Sequence, residues 1–80
     1  DIDGIIVLPE YRGNNLQKVL VNYLEKRAKE LGIRNIVAEV TFGNEYSLRN
    51  LQSLGYEIKN WYQKDKNIKR HILLKRLKND

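Results

Sequence analysis

Apolar positions fall in blocks along the chain, and their spacing changes from block to block. Ile5-Ile6-Val7-Leu8 is apolar without interruption, which predicts a strand from Ile2 to Leu8 covered on both faces. Pro9 ends it, because proline cannot donate to a ladder. Glu10 to Asn15 is a polar turn containing Gly13. Leu16, Leu20, Leu24, Ala28 and Leu31 then recur at helical spacing, with Val19, Tyr23 and Arg27 flanking the stripe. This predicts an amphipathic helix from about Asn14 to Leu31. Asn14 or Asn15 suits its N-cap, and Gly32 stands where a left-handed residue closes a helix.

From Ile33 to Phe42 the period becomes two, with Ile36, Ala38 and Val40 on one face and Val37, Glu39 and Thr41 on the other. Asn44 to Leu54 reads as a short helix bearing Leu48, Leu51 and Leu54, closed by Gly55 in the manner of Gly32. A third strand from Tyr56 to Tyr62 places Tyr56, Ile58, Asn60 and Tyr62 on one face. A turn over Lys64-Asp65-Lys66-Asn67 leads into a last strand, Ile68 to Leu77, paired with the third as a hairpin. The order β-α-β-α-β-β predicts an α/β fold, an α+β mixed sheet with a parallel pair at its centre, in one domain.

Composition narrows the chemistry. With 80 residues the chain buries only roughly 60% of the surface its unfolded form exposes. It has no cysteine and a single histidine, His71, which excludes disulfides, a thiolate nucleophile and a Cys- or His-rich metal cage. No apolar run approaches the ~20 residues of a membrane span, and no signal peptide is visible, so a cytoplasmic location is expected. The chain begins at Asp1 inside an apolar run, so a piece of a longer protein is expected. Its net charge is +5, but residues 1–58 carry seven Lys/Arg against eight Asp/Glu, and residues 59–80 eight against two. The basic character belongs to the C-terminal hairpin. It suits either a solvated edge with lysines or an anionic partner such as nucleic acid.

The turn between the first strand and the long helix is the most informative segment. Backbone N–H groups opening a helix lack intrahelical partners, and the helix dipole adds partial positive charge there. Such a junction suits a phosphate or pyrophosphate. Gly13 allows close backbone approach, and Arg12 and Lys18 add charge.

The stretch Val7-Leu8-Pro9-Glu10-Tyr11-Arg12-Gly13-Asn14-Asn15-Leu16-Gln17 resembles motif A of the GNAT N-acetyltransferases. Asn44-Glu45-Tyr46-Ser47-Leu48-Arg49-Asn50-Leu51-Gln52-Ser53-Leu54-Gly55-Tyr56 resembles motif B, and Arg70 to Lys75 looks like the family's last strand. The resemblance implies the C-terminal half of the GNAT fold, with the N-terminal half absent. It implies acetyl-CoA as co-substrate, transfer of the acetyl group to a primary amine, and no metal. It implies that Ile5, Ile6 and Val7 offer backbone groups to the pantetheine arm in a wedge between the first two strands. By the same resemblance Arg12, Gly13, Asn14, Asn15, Leu16, Gln17 and Lys18 cradle the pyrophosphate, and Asn44 contacts the cofactor. Asn15 and Gln17 stand where the family pattern has small residues. Leu51 stands where many members carry the tyrosine that protonates the departing thiolate, and leucine is no acid.

Other catalytic candidates are few. Asp1 occupies the place of a catalytic glutamate in some members, Asp3 lies on the same strand, and Tyr46 and Tyr56 are near motif B. His71, Trp61 and Arg49 read first as strand packing, rim packing and a solvated helix charge. The alternatives are a small basic module binding nucleic acid through residues 59–78, or a domain that binds CoA but transfers nothing. The outer edge of the first strand is expected to be open, offering a second copy a place to pair as a homodimer.

Overall fold

The computed structural model describes residues 4–10 and 16–78. In chain order these form β1 (Ile5–Leu8), α1 (Leu16–Glu30), β2 (Asn35–Thr41), α2 (Glu45–Ser53), β3 (Glu57–Asp65) and β4 (Ile68–Arg76). The strands make one mixed sheet in the order β1-β2-β4-β3. β1 runs parallel to β2, from Ile5 opposite Asn35 to Leu8 opposite Ala38. β4 lies between β2 and β3 and is antiparallel to both. The expected α/β architecture and hairpin are present. The parallel pair takes one side of the sheet, and β1 is its outer strand.

Both helices stop as their glycines predict. Gly32 has φ +76° and Gly55 φ +97°, a region that favours glycine. Around them the Gly32 N–H donates to Lys29 and the Ile33 N–H to Ala28, while the Gly55 N–H donates to Gln52 and the Tyr56 N–H to Leu51. This doubled pattern satisfies carbonyls that the last helical turn leaves free. It also turns the chain straight back into a strand.

One face of the sheet carries the core. Ile36, Ala38 and Val40 of β2 and Leu73 of β4 are buried against Val21 and Ala28 of α1 and Leu51 of α2, with Leu8 and Tyr56 beside them. The α1 stripe differs from the expected one. Gln17, Val21 and Ala28 are buried, with Leu24 packed against the core, whereas Leu16 and Leu31 are largely exposed. The helix is rotated by roughly 50°, about half a residue step, from the orientation that centres the leucine stripe on the core, so Leu24 and Ala28 stay inward while Leu16 and Leu31 turn out. The cause is Gln17, which is fixed inward by polar partners on α2.

Two further expectations change. β1 is not covered on both faces: Leu8 is buried, but Ile5 and Val7 are each 59% exposed on the opposite face. Among the described residues no element packs over that face or pairs with the outer edge of β1. In β3 the pairing register shifts between Ile58 and Asn60. Ile58 lies opposite Leu73, on the core face, while Asn60 and Tyr62 lie opposite Ile72 and Arg70 on the other. One extra residue in a strand reverses the alternation beyond it, so Tyr56 and Ile58 do not share a face with Asn60 and Tyr62.

Candidate functional site

Because β1 and β2 are parallel, both deliver the chain at the same end of the sheet, where α1 and α2 begin. Pairing between the two strands stops at Leu8 and Ala38, although β2 continues to Thr41. We call the overhang of β2 past the last residue of β1 the β1/β2 wedge. Half of the main-chain groups of Ile5, Ile6, Val7 and Leu8 point toward β2, as the geometry of a parallel ladder requires, and half point to the unpaired edge.

Glu10 bridges the mouth of this wedge. Its carboxylate accepts the Thr41 N–H at 3.2 and 3.3 Å, the Thr41 hydroxyl at 2.9 Å and the Asn44 side-chain amide at 2.7 Å. Asn44 is the N-cap of α2, and its Oδ1 accepts the Ser47 N–H at 3.3 Å. Partial burial pushes the Glu10 carboxyl up, but the hydrogen bonds from Asn44 and Thr41, with the nearby Arg70 charge, outweigh it and hold the pKa below the usual 4.5. A carboxyl whose pKa is depressed in the folded state stabilises it at higher pH, and that stability is lost as pH falls through the folded value. Melting experiments between about pH 3 and 6 are expected to show stability declining from about pH 4.5 downward, and Glu10→Gln is expected to remove that component.

Gln17 is 3% exposed. Its Nε2 donates to the Ser47 hydroxyl at 2.6 Å, and its Oε1 accepts the Asn50 amide at 2.8 Å. The first turn of α1 is thereby fastened to α2. Both ends of the Gln17 amide are thus committed to side chains of α2. Lys18 is exposed on the same helical turn, and Leu16 begins the helix. Asp1, Asp3, Arg12, Gly13, Asn14 and Asn15 lie outside the described residues.

The two motif B positions weighed for acid chemistry are both buried. Leu51 is 3% exposed and packs in the core. Tyr56 is 2% exposed, and its hydroxyl donates to Glu25 at 2.8 Å. Burial, and then the Glu25 carboxylate, push its pKa far above the ordinary tyrosine value. The Tyr56 hydroxyl is thus committed to a part-buried carboxylate beneath α1. Tyr46 is 46% exposed on the first turn of α2.

Sequence reasoning passed over two side-chain clusters. On the face away from the helices, the Tyr62 hydroxyl donates to Glu39 at 2.6 Å and Arg70 pairs with the same carboxylate at 3.5 Å. On the helix-side face His71 stacks on Phe42 at 4.0 Å between centroids, Trp61 tilts against Phe42 at 6.0 Å, and the Lys69 ammonium sits 5.2 Å above the Trp61 ring. His71 and Trp61 are thus packing partners, as their strand positions suggested. Three of the eight Lys/Arg in residues 59–80 are ion-paired: Lys75 with Glu25, Arg70 with Glu39 and, at the surface, Lys59 with Glu57.

Comparison with known proteins agrees with the motif reading. The model of the acetyltransferase (GNAT) family matches residues 1–56. No curated protein and no solved structure matches the chain. Among the described residues no helix is long and apolar enough to cross a membrane.

Proposed function

Since this chain belongs to the acetyltransferase (GNAT) family, we propose that it binds acetyl-CoA at the β1/β2 wedge and supports acetyl transfer to a primary amine. The observation that carries the reading is the wedge itself. Two parallel strands cease pairing where two helices begin, and at that end Glu10 takes the Thr41 donors and one Asn44 N–H, so the second Asn44 N–H is the side-chain donor left for a ligand. A pantetheine arm is a chain of amides, and it can complete hydrogen bonds that separating strands leave unmade. The α1 N-terminus, with Arg12 and Gly13 in the preceding turn, suits the pyrophosphate.

The reaction forms a bond from the amine nitrogen to the thioester carbonyl carbon and breaks the carbon–sulfur bond. Backbone N–H groups of β1 polarise the carbonyl. The proton lost by nitrogen balances the one gained by sulfur. With Leu51 at the tyrosine position, that second proton comes from water. We propose a cytoplasmic location and self-association through the outer edge of β1.

Isothermal titration with acetyl-CoA and with free CoA tests the binding claim. Heat of binding with both is expected, and no heat at millimolar ligand overturns the reading. Thiol release in the presence of a panel of primary amines separates an enzyme from a domain that only binds. CoA binding without thiol release for any amine favours the non-catalytic alternative.

A further inference from the structure

We propose that Glu10 is a positioning residue for the cofactor: it fixes which end of the Asn44 carboxamide faces the β1/β2 wedge. The inference rests on the acetyl-CoA reading above and adds a residue to it. Asn44 is held at both ends. Its Oδ1 accepts the Ser47 N–H, and its Nδ2 donates to Glu10. A peptide N–H only donates and a carboxylate only accepts. Only one of the two carboxamide orientations satisfies both partners, and Glu10 is the partner on the wedge side. Nδ2 carries two hydrogens and Glu10 takes one. The other is the donor that a cofactor carbonyl in the wedge accepts. The same carboxylate grips the Thr41 N–H and hydroxyl, so the last residue of β2 and the cap of α2 are set against the exit of β1 by one side chain.

Glutamine at this position breaks the logic without removing bulk. Its single oxygen serves Thr41, and its amide then confronts the Asn44 amide. Asn44 relieves the clash by rotating, which gives up the Ser47 cap and turns its oxygen toward the wedge. A paired change, Glu10→Gln with Asn44→Asp, restores the bonds from position 44 to Ser47 and to position 10, with the one oxygen left at position 10 accepting from Thr41. The introduced amide donates to one oxygen of the introduced carboxylate, and the other oxygen accepts from Ser47. The pair keeps the clasp and the net charge, but position 44 presents no N–H to a ligand.

The experiment measures melting temperature and CoA affinity for the wild-type chain, Glu10→Gln and the pair. Glu10→Gln is expected to lower both, with CoA affinity down about tenfold, the scale of one good hydrogen bond. The pair is expected to recover the melting temperature while CoA affinity stays about tenfold down. Recovery of both by the pair means the clasp is structural only and overturns the proposal. Unchanged CoA affinity in Glu10→Gln overturns it as well. In both cases a wild-type chain that binds CoA leaves the cofactor reading intact. A wild-type chain that binds no CoA sinks that reading and this one together, so the two failures are distinct.

Discussion

Leu73→Ala is expected to lower the melting temperature by about 15 °C, whereas Leu31→Ala moves it by no more than about 3 °C. Leu73 is fully buried on β4, opposite Ala38 of β2 and Ile58 of β3. Its side chain sits where the sheet meets both helices. Removing a buried leucine forfeits its transfer energy and leaves a cavity, together about 3 kcal/mol. A domain of 80 residues holds only about 4–12 kcal/mol in total. For a chain this small each kcal/mol moves the midpoint by roughly 5 °C. Leu31 follows α1 and is 59% exposed, so its truncation removes little burial. Differential scanning calorimetry on both variants reads the contrast. Equal losses would mean that α1 sits on the sheet through its leucine stripe, contrary to the packing described here.

That contrast marks where the hydrophobic pattern misleads. The stripe Leu16, Leu20, Leu24, Ala28 and Leu31 has the right period, and the helix exists at nearly the expected bounds. Its rotation is set by a polar residue. Gln17 is buried because Ser47 and Asn50 of α2 complete its hydrogen bonds. Periodicity counts apolar residues and cannot see a partner 30 positions away. The strands were legible for the opposite reason. Alternation in β2 is local, and Ile36, Ala38 and Val40 are all buried as read. The β3 register shift was not legible, since nothing in Ile58-Lys59-Asn60 announces an extra residue.

The candidate site divides in the same way. The two motifs locate its elements, and Asn44 caps α2 next to the end of β2, where Glu10 holds it. The residue that gathers the site, Glu10, reads in sequence as one more polar turn position. Its role appears once the parallel register is known. Ile5 opposite Asn35 sets an offset of 30 residues, which brings Glu10 across from the end of β2. Glu39, Tyr62 and Arg70 come together by the same kind of long-range pairing, on strands that β4 interleaves.

The network beneath α1 gives the second large effect and separates structure from chemistry at Tyr56. The Glu25 carboxylate accepts from the Tyr56 hydroxyl at 2.8 Å and from the Lys75 ammonium at 3.1 Å, and Lys75 also donates to the Leu54 carbonyl at 2.7 Å. One carboxylate therefore joins α1, the end of α2 and β4. Its removal leaves a cation and a phenol without their acceptor. Breaking a fully buried pair costs about 3–5 kcal/mol, and the residual exposure of Lys75 and Glu25, 27% and 15%, reduces this to about 2 kcal/mol. Glu25→Ala is accordingly expected to lower the melting temperature by about 10 °C. Tyr56→Phe removes only one hydrogen bond, about 1 kcal/mol, and leaves the Glu25–Lys75 pair in place. Because folding raises the Tyr56 pKa, its contribution is complete below the ordinary value of 10.0 and is lost as pH rises beyond it. Wild-type stability should fall in that alkaline range, and Tyr56→Phe should lack this component. Acetyl transfer and CoA affinity of Tyr56→Phe, measured well below its melting temperature, are expected to match the wild type. A collapse of transfer with CoA affinity intact would return Tyr56 to the reaction and require its hydroxyl to leave Glu25.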